Sequence, residues 1–232
     1  MGHTLAAGLL LWCTTRLWFF YHTTLDMSGK FTAFCFGIVT LIYTSYHIIY
    51  YPYIYNPLLV SLGISYYLND LVWLMFQSQK GIFILHHVIT LVPLSVFWRY
   101  PIDGTGNLYF YIIFFLAEIT NPVQQIFMLI RKYYNRDDKY QQHLFFTIYT
   151  FYTWFYILVR GILWPALFIF WWRNETLSTL DPPIDSWKVS LCYTVFLCLI
   201  LGSFQWSSQL YKGWSRFRIS KTLSNFEKQE NK

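Results

Sequence analysis

Charge is what this chain has least of. Asp, Glu, Lys and Arg make up 12% of its 232 residues, about half the ~25% usual in soluble domains. Hydrophobic residues account for 56% and aromatic residues for 23%, more apolar surface than a soluble fold of this size hides. Metal and redox patterns are missing as well. Cys13, Cys35, Cys192 and Cys198 fall inside apolar stretches with no CxxC or Cys/His spacing, which reads as small core residues rather than disulfides or ligands. The six histidines include His3 and the loop residue His143, too few for the several HxxxH or HxxHH boxes of a membrane di-iron site. No metal is expected. A Gly-rich phosphate loop, a Ser nucleophile elbow and a Cys/His dyad are equally absent, and Gly104-Thr105-Gly106 reads as a turn. No cofactor is expected beyond acyl-CoA as a co-substrate, should the protein prove an enzyme.

What is present is a series of seven apolar runs, at roughly 4–22, 31–51, 58–76, 82–98, 108–130, 144–172 and 189–209, most near the ~20 residues that cross hydrocarbon as a helix. The alternation of a membrane barrel is missing, so the expectation is an all-α polytopic transmembrane helix bundle. Turn chemistry breaks the runs at Met27-Ser28-Gly29, Asn56-Pro57, Lys80-Gly81, Asp103-Gly104-Thr105-Gly106 and Asp181-Pro182-Pro183. The sixth run is too long for one straight span, and Gly161 and Pro165 are where it would kink or end. The first run has no basic n-region, carries Arg16 midway and lacks an A-x-A-like site, so it reads as a membrane helix rather than a signal peptide. This divides the chain into a first helix with its connection (1–30), a helical domain (31–210) and a basic tail (211–232).

Basic residues orient the bundle. With the C-terminus cytosolic, Lys30, Lys80, Arg131, Lys132, Arg136, Lys139, Lys212, Arg216, Arg218, Lys221, Lys228 and Lys232 lie on the cytosolic side, against Arg99, Arg173 and Lys188 opposite. That asymmetry follows the positive-inside rule. The Asn174-Glu175-Thr176 sequon is then lumenal and close to the membrane, which disfavours its use. The net charge of +6 resides in these loops and the tail. It suits anionic lipid headgroups, and no nucleic acid is expected, since the charge forms no stripe beside exposed aromatics.

Against this apolar background, a few polar side chains stand inside the spans, where they are expensive and functional suspects by default. They are Arg16, His47, Asp70, His86, His87, Glu118, Asn121, Arg160 and Gln205. At 1.5 Å per residue, Asp70 lies roughly 9 Å, and His86 and His87 roughly 6–8 Å, from the cytosolic ends of their helices. Arg16 (roughly 9 Å) and Gln205 (roughly 6 Å) share that level, whereas Glu118 and Asn121 lie roughly 14–18 Å in. A polar cavity opening to the cytosolic leaflet would collect most of them. Arg160 falls nearer the lumenal half and needs its own partner or must snorkel outward. Adjacent helical residues are turned by about 100°, so only one of His86 and His87 faces such a cavity squarely. An imidazole there is a fit general base or nucleophile, and Asp70 could orient it. The alternative is that these residues are interhelical hydrogen-bonding groups that hold the bundle together.

Taken in order, SYHIIYY, SYYLNDL, FILHHVIT, LAEITNP and FYILVR resemble the successive blocks of the TLC domain across roughly residues 40–165. That family comprises ceramide synthases, TRAM-type translocon-associated proteins and smaller TLC domain-containing proteins linked to lipid homeostasis. All are multi-spanning and chiefly of the endoplasmic reticulum. The resemblance carries over to His47, Asp70, His86, His87, Glu118, Pro122 and Arg160. Where ceramide synthases have a block with two aspartates, this chain has LAEITNP, so it is more similar to the smaller, non-synthase members. The resemblance implies a six-helix core plus one helix, membrane lipids as partners and an endoplasmic reticulum location.

The expected function is lipid homeostasis or control of membrane lipid composition, by binding a lipid or acyl chain in the intramembrane cavity. One rival is a ceramide synthase-like N-acyltransferase, with His86 or His87 taking the acyl group or deprotonating an amine, Asp70 orienting it, and Arg131 to Lys139 meeting acyl-CoA phosphates. The other is a cargo receptor or chaperone partner without catalysis.

Overall fold

The computed structural model describes residues 2–76, 81–99, 105–135, 138–177 and 186–230. The breaks expected at Lys80, at Asp103-Gly104 and at Asp181-Pro182-Pro183 lie outside these residues. So do Arg136 and the side chains of the sequon, of Cys192, of Lys188 and of the tail from 219 on.

Among the described residues every regular element is helical, and the chain runs back and forth as seven rods. The first, α1 (Gly2–His22), reaches α2 (Leu25–Tyr50) through a tight turn in which the Thr24 hydroxyl accepts from the Met27 N–H. This cap, with Asp26 in the first turn and its ion pair to Lys30, starts α2 six residues ahead of the apolar run. At the other end Asn56 caps α3 (Pro57–Met75), its side chain accepting from Leu58 N–H at 2.8 Å with Pro57 in the first turn. The fourth rod is α4 (Gly81–Arg99).

Two rods depart from regular helix, and both departures matter for the interior. The fifth apolar run, expected as one helix, is two: α5 (Thr105–Glu118) and α6 (Thr120–Tyr133), parted at Ile119. Pro122 has no N–H to return to the Glu118 carbonyl, and that missing bond accounts for the break. The sixth run does not stop at Gly161. α7 (Lys139–Tyr156) passes through a π-helical turn (Ile157–Leu163) into α8 (Trp164–Leu177), where the Trp164 N–H reaches the Val159 carbonyl five residues back. Widening by one residue absorbs the donor that Pro165 lacks.

The last rod, α9 (Ser186–Glu230), has 45 residues, about 68 Å at 1.5 Å each, against ~30 Å of hydrocarbon. The tail expected from 211 on is therefore the same helix prolonged. Among the described residues four helical stretches are long and apolar enough to cross a membrane, Asp26–Tyr50, Pro57–Met75, Gly106–Tyr133 and Tyr140–Arg173, and Phe83–Arg99 is a shorter apolar one. The chain is thus an all-α helical bundle with the character of a membrane protein.

α3 packs between α1 and α4; α2 lies against α1, α5 and α6; and α9 closes the ring against α4, α7 and the π turn. Aromatic side chains fill the interior, with Trp12, Phe36, Tyr66, Phe110, Trp164 and Phe196 in the main cluster. A second cluster of Phe127, Phe145, Tyr152 and Tyr156 joins α6 and α7, with Phe217 of α9 packed on it. Close approach needs a small residue where α2 crosses the α5–α6 break: a Cβ on Gly37 would lie 2.9 Å from the Pro122 ring. Of the cysteines, Cys13 is half-buried, its thiol donating to Asn69 Oδ1 at 3.2 Å, but Cys198 is exposed rather than a core residue.

Candidate functional site

A cavity of about 220 Å³ lies inside the half of the bundle where α1 turns into α2. Its mouth is marked by Asp26, Lys30 and Phe83, its walls by Tyr67, Asp70 and Glu118, and its far end by Leu94, Phe110 and Phe196. Polar groups thus cluster toward the mouth, and carbon lines the depth.

Three helices meet at Asp70. Arg16, only 1% exposed, reaches across from α1 and pairs through Nη1 with Asp70 Oδ1. Its guanidinium lies over the Trp73 ring, 5.4 Å from the centroid. On the other side a Cβ on Gly29 would come within 2.7 Å of Nη2, so α2 has no side chain at this position because the cation occupies the space. The second Asp70 oxygen faces His87 Nε2 at 2.8 Å, and the other ring nitrogen, Nδ1, donates to the Phe83 carbonyl at 2.8 Å. Neither nitrogen of His87 is left for a substrate.

His86 is placed differently. Its half-buried ring lines the cavity and meets Trp206 and His87, each at 5.6 Å between centroids. No hydrogen bond joins it to a described residue. The two histidines therefore divide the roles that their 100° separation allows: His87 is built into the wall, and His86 stands open to the cavity.

Deeper in, Glu118 is 1% exposed and accepts from the Tyr67 hydroxyl at 2.7 Å and from Asn121 Nδ2 at 2.5 Å. Tyr67 stacks edge-on against His87, 5.3 Å away, and so links the two carboxylates. The break after Glu118 also exposes backbone. Arg160, on the π turn, donates to the Ala117 carbonyl and through Nε to Thr120 Oγ1 at 3.1 Å, and its guanidinium lies 5.0 Å from the Trp164 centroid. The π turn thus directs a buried cation at the backbone gap in the neighbouring rod, which is the partner Arg160 needed.

Two candidates do not belong to this group. Gln205 is exposed on α9, and its neighbour Trp206 is the residue that faces inward. Gln205 has the depth of the group but turns away from it, because rotation about the helix axis does not follow from depth. His47 is buried at the opposite end, where its Nε2 lies 2.6 Å from Asn56 Nδ2. Tyr111 completes that clasp, accepting from Asn56 N–H at 2.8 Å and donating to the Ile54 carbonyl at 2.7 Å. His47 fixes the entry to α3 and does not line the cavity.

Missed from the sequence were Tyr67, Thr120, Trp73 and Trp206. Tyr67 and Trp73 had a usable signal, each standing three residues from Asp70 on the same helical face.

No family model, curated protein or solved structure matches the chain.

Proposed function

We propose that this is a membrane protein that holds a lipid or acyl chain in its interior cavity and acts in lipid homeostasis or membrane lipid composition. The observation that carries the reading is the cavity itself, polar toward its mouth and apolar in its depth, inside a bundle whose outside is hydrocarbon-like. Its ~220 Å³ falls below the 300–1,000 Å³ of sites for drug-sized ligands, which suits one chain better than two. The resemblance to the smaller TLC domain-containing proteins points the same way and adds the endoplasmic reticulum as the location. The excess of basic residues on one side orients the mouth, and the C-terminal tail with it, toward the cytosol, with seven crossings in all.

A second reading, acyl transfer from acyl-CoA, is favoured by one observation, the unengaged His86 ring in the cavity. His87 does not serve that reading, because Asp70 and the Phe83 carbonyl occupy both of its nitrogens.

Lipid analysis of the purified protein tests both. The expected result is one single-chain lipid copurifying near stoichiometrically and lost from an Ala33→Trp variant, which fills the cavity from α2. A protein that carries only bulk membrane lipid, unchanged by that substitution, would sink the proposal. A stable mass increase of one acyl group, absent in His86→Ala, would favour the enzyme.

A further inference from the structure

The hydrogen-bonding groups of the cavity are unequally spent. Each oxygen of the two deepest carboxylates already accepts from the protein: Asp70 from Arg16 and His87, Glu118 from Tyr67 and Asn121. The third carboxylate in the lining, Asp26, is paired with Lys30. A ligand bringing an ammonium group would find no carboxylate uncommitted.

Donors are another matter. Arg16 spends Nη1 on Asp70, and its Nε has no partner although the residue is 99% buried. A guanidinium carries five N–H groups, so this one is far from satisfied in a place where unmet polar groups are costly. Gln124 and Gln125 line the same end with no side-chain hydrogen bond to a described residue, as does His86.

Resting on the lipid-cavity reading, the geometry points to a ligand class: a single-chain lipid with an anionic oxygen headgroup, a carboxylate or a phosphate monoester, anchored by Arg16 from α1. The headgroup would accept from Arg16 and from the glutamines, while the chain runs toward Leu94, Phe110 and Phe196. Long-chain amines and alcohols present the wrong chemistry: the first duplicates donors already in surplus, and the second brings no charge to the guanidinium.

The test uses the full-length protein, stripped of lipid in detergent, and native mass spectrometry with four sixteen-carbon probes: palmitate, palmitoyl lysophosphatidate, hexadecanol and hexadecylamine. Palmitate or the lysophosphatidate should be held at least roughly tenfold tighter than the other two, the scale of one charge-assisted contact. The two anionic probes tell carboxylate from phosphate. The double variant Arg16→Gln/Asp70→Asn removes both charges while keeping hydrogen-bonding shape, so the bundle is not left with an unpaired buried ion. It should lose the anionic preference but still hold hexadecanol. Preference for the amine or the alcohol, equal binding of all four, or an anionic preference that survives in the double variant would overturn this ligand class and leave the cavity reading standing. Retention of none overturns both.

Discussion

Because the His87 ring is held at both nitrogens while the His86 ring packs on Trp206 and hydrogen-bonds to no described residue, the two neighbouring substitutions should fail in different ways. His87→Ala removes the ring contact to Asp70 Oδ2 and the side-chain donor to the Phe83 carbonyl. It should lower thermal stability, each lost hydrogen bond within a membrane bundle being worth roughly 0.6–1.7 kcal/mol. His86→Ala should leave the melting temperature nearly unchanged and alter lipid retention instead. Thermal unfolding of both variants in detergent, with lipid quantified on the same samples, checks the pair; equal destabilisation would show that His86 is part of the wall. Tyr67→Phe is the corresponding test at Glu118. It keeps the ring that packs on His87 but removes the 2.7 Å hydrogen bond, so its cost should fall in the same range.

At the scale of elements, the irregularities explain more than the regular helices do. The apolar runs marked nearly every rod, because the ~20-residue requirement of hydrocarbon is written directly into composition. The break at Ile119 and the π turn at Ile157–Leu163 were not legible in the same way. Pro122 and Pro165 signalled missing donors but not how the chain would resolve them, since a proline is answered by a kink, a break or a widened turn according to its neighbours. Which helical face each polar residue occupied was equally hidden. Depth follows from counting residues, but rotation depends on packing, so Asp70 and His87 were placed together while Gln205 turned outward. The π turn makes its own prediction. Deleting Ile162, exposed on that turn, should restore an α-helical register and rotate Arg160 away from Ala117 and Thr120 by about 100°. Helix content by circular dichroism should hold while lipid retention falls; retention at the original level would mean that the Arg160 contact does not shape the cavity. Gly37→Leu should destabilise the protein outright, because Pro122 is rigid and stands where the new side chain would go.

For the molecule as a whole, α9 decides how far the bundle extends. Beyond 210 it still packs on α7: Trp214 Nε1 donates to Thr150 Oγ1 at 2.9 Å, and Phe217 meets Phe145, Phe146 and Tyr149. A chain truncated after 210 should therefore lose thermal stability, whereas one truncated after 218 should keep it. Comparable melting temperatures for the two would show that the distal helix contributes nothing. The orientation has a separate check: in intact microsomes a tag on the C-terminus should be digested by protease before detergent is added. Protection of that tag would reverse the bundle.

The pairing of Arg16 with Asp70 across 54 residues also bears on how the protein is made. Synthesis at roughly 5–20 residues per second separates the two side chains by about 3–11 s. Throughout that interval Arg16 in α1 waits for the carboxylate that it pairs with in the folded bundle. A nascent chain arrested before α3 should therefore remain crosslinkable to the insertion machinery, and one arrested after α3 should be released into lipid as a helical pair. An Asp70→Asn chain should linger at the longer length too, so that the residue that pairs with Arg16 and His87 in the folded bundle would also time the departure of the first helix from the translocon.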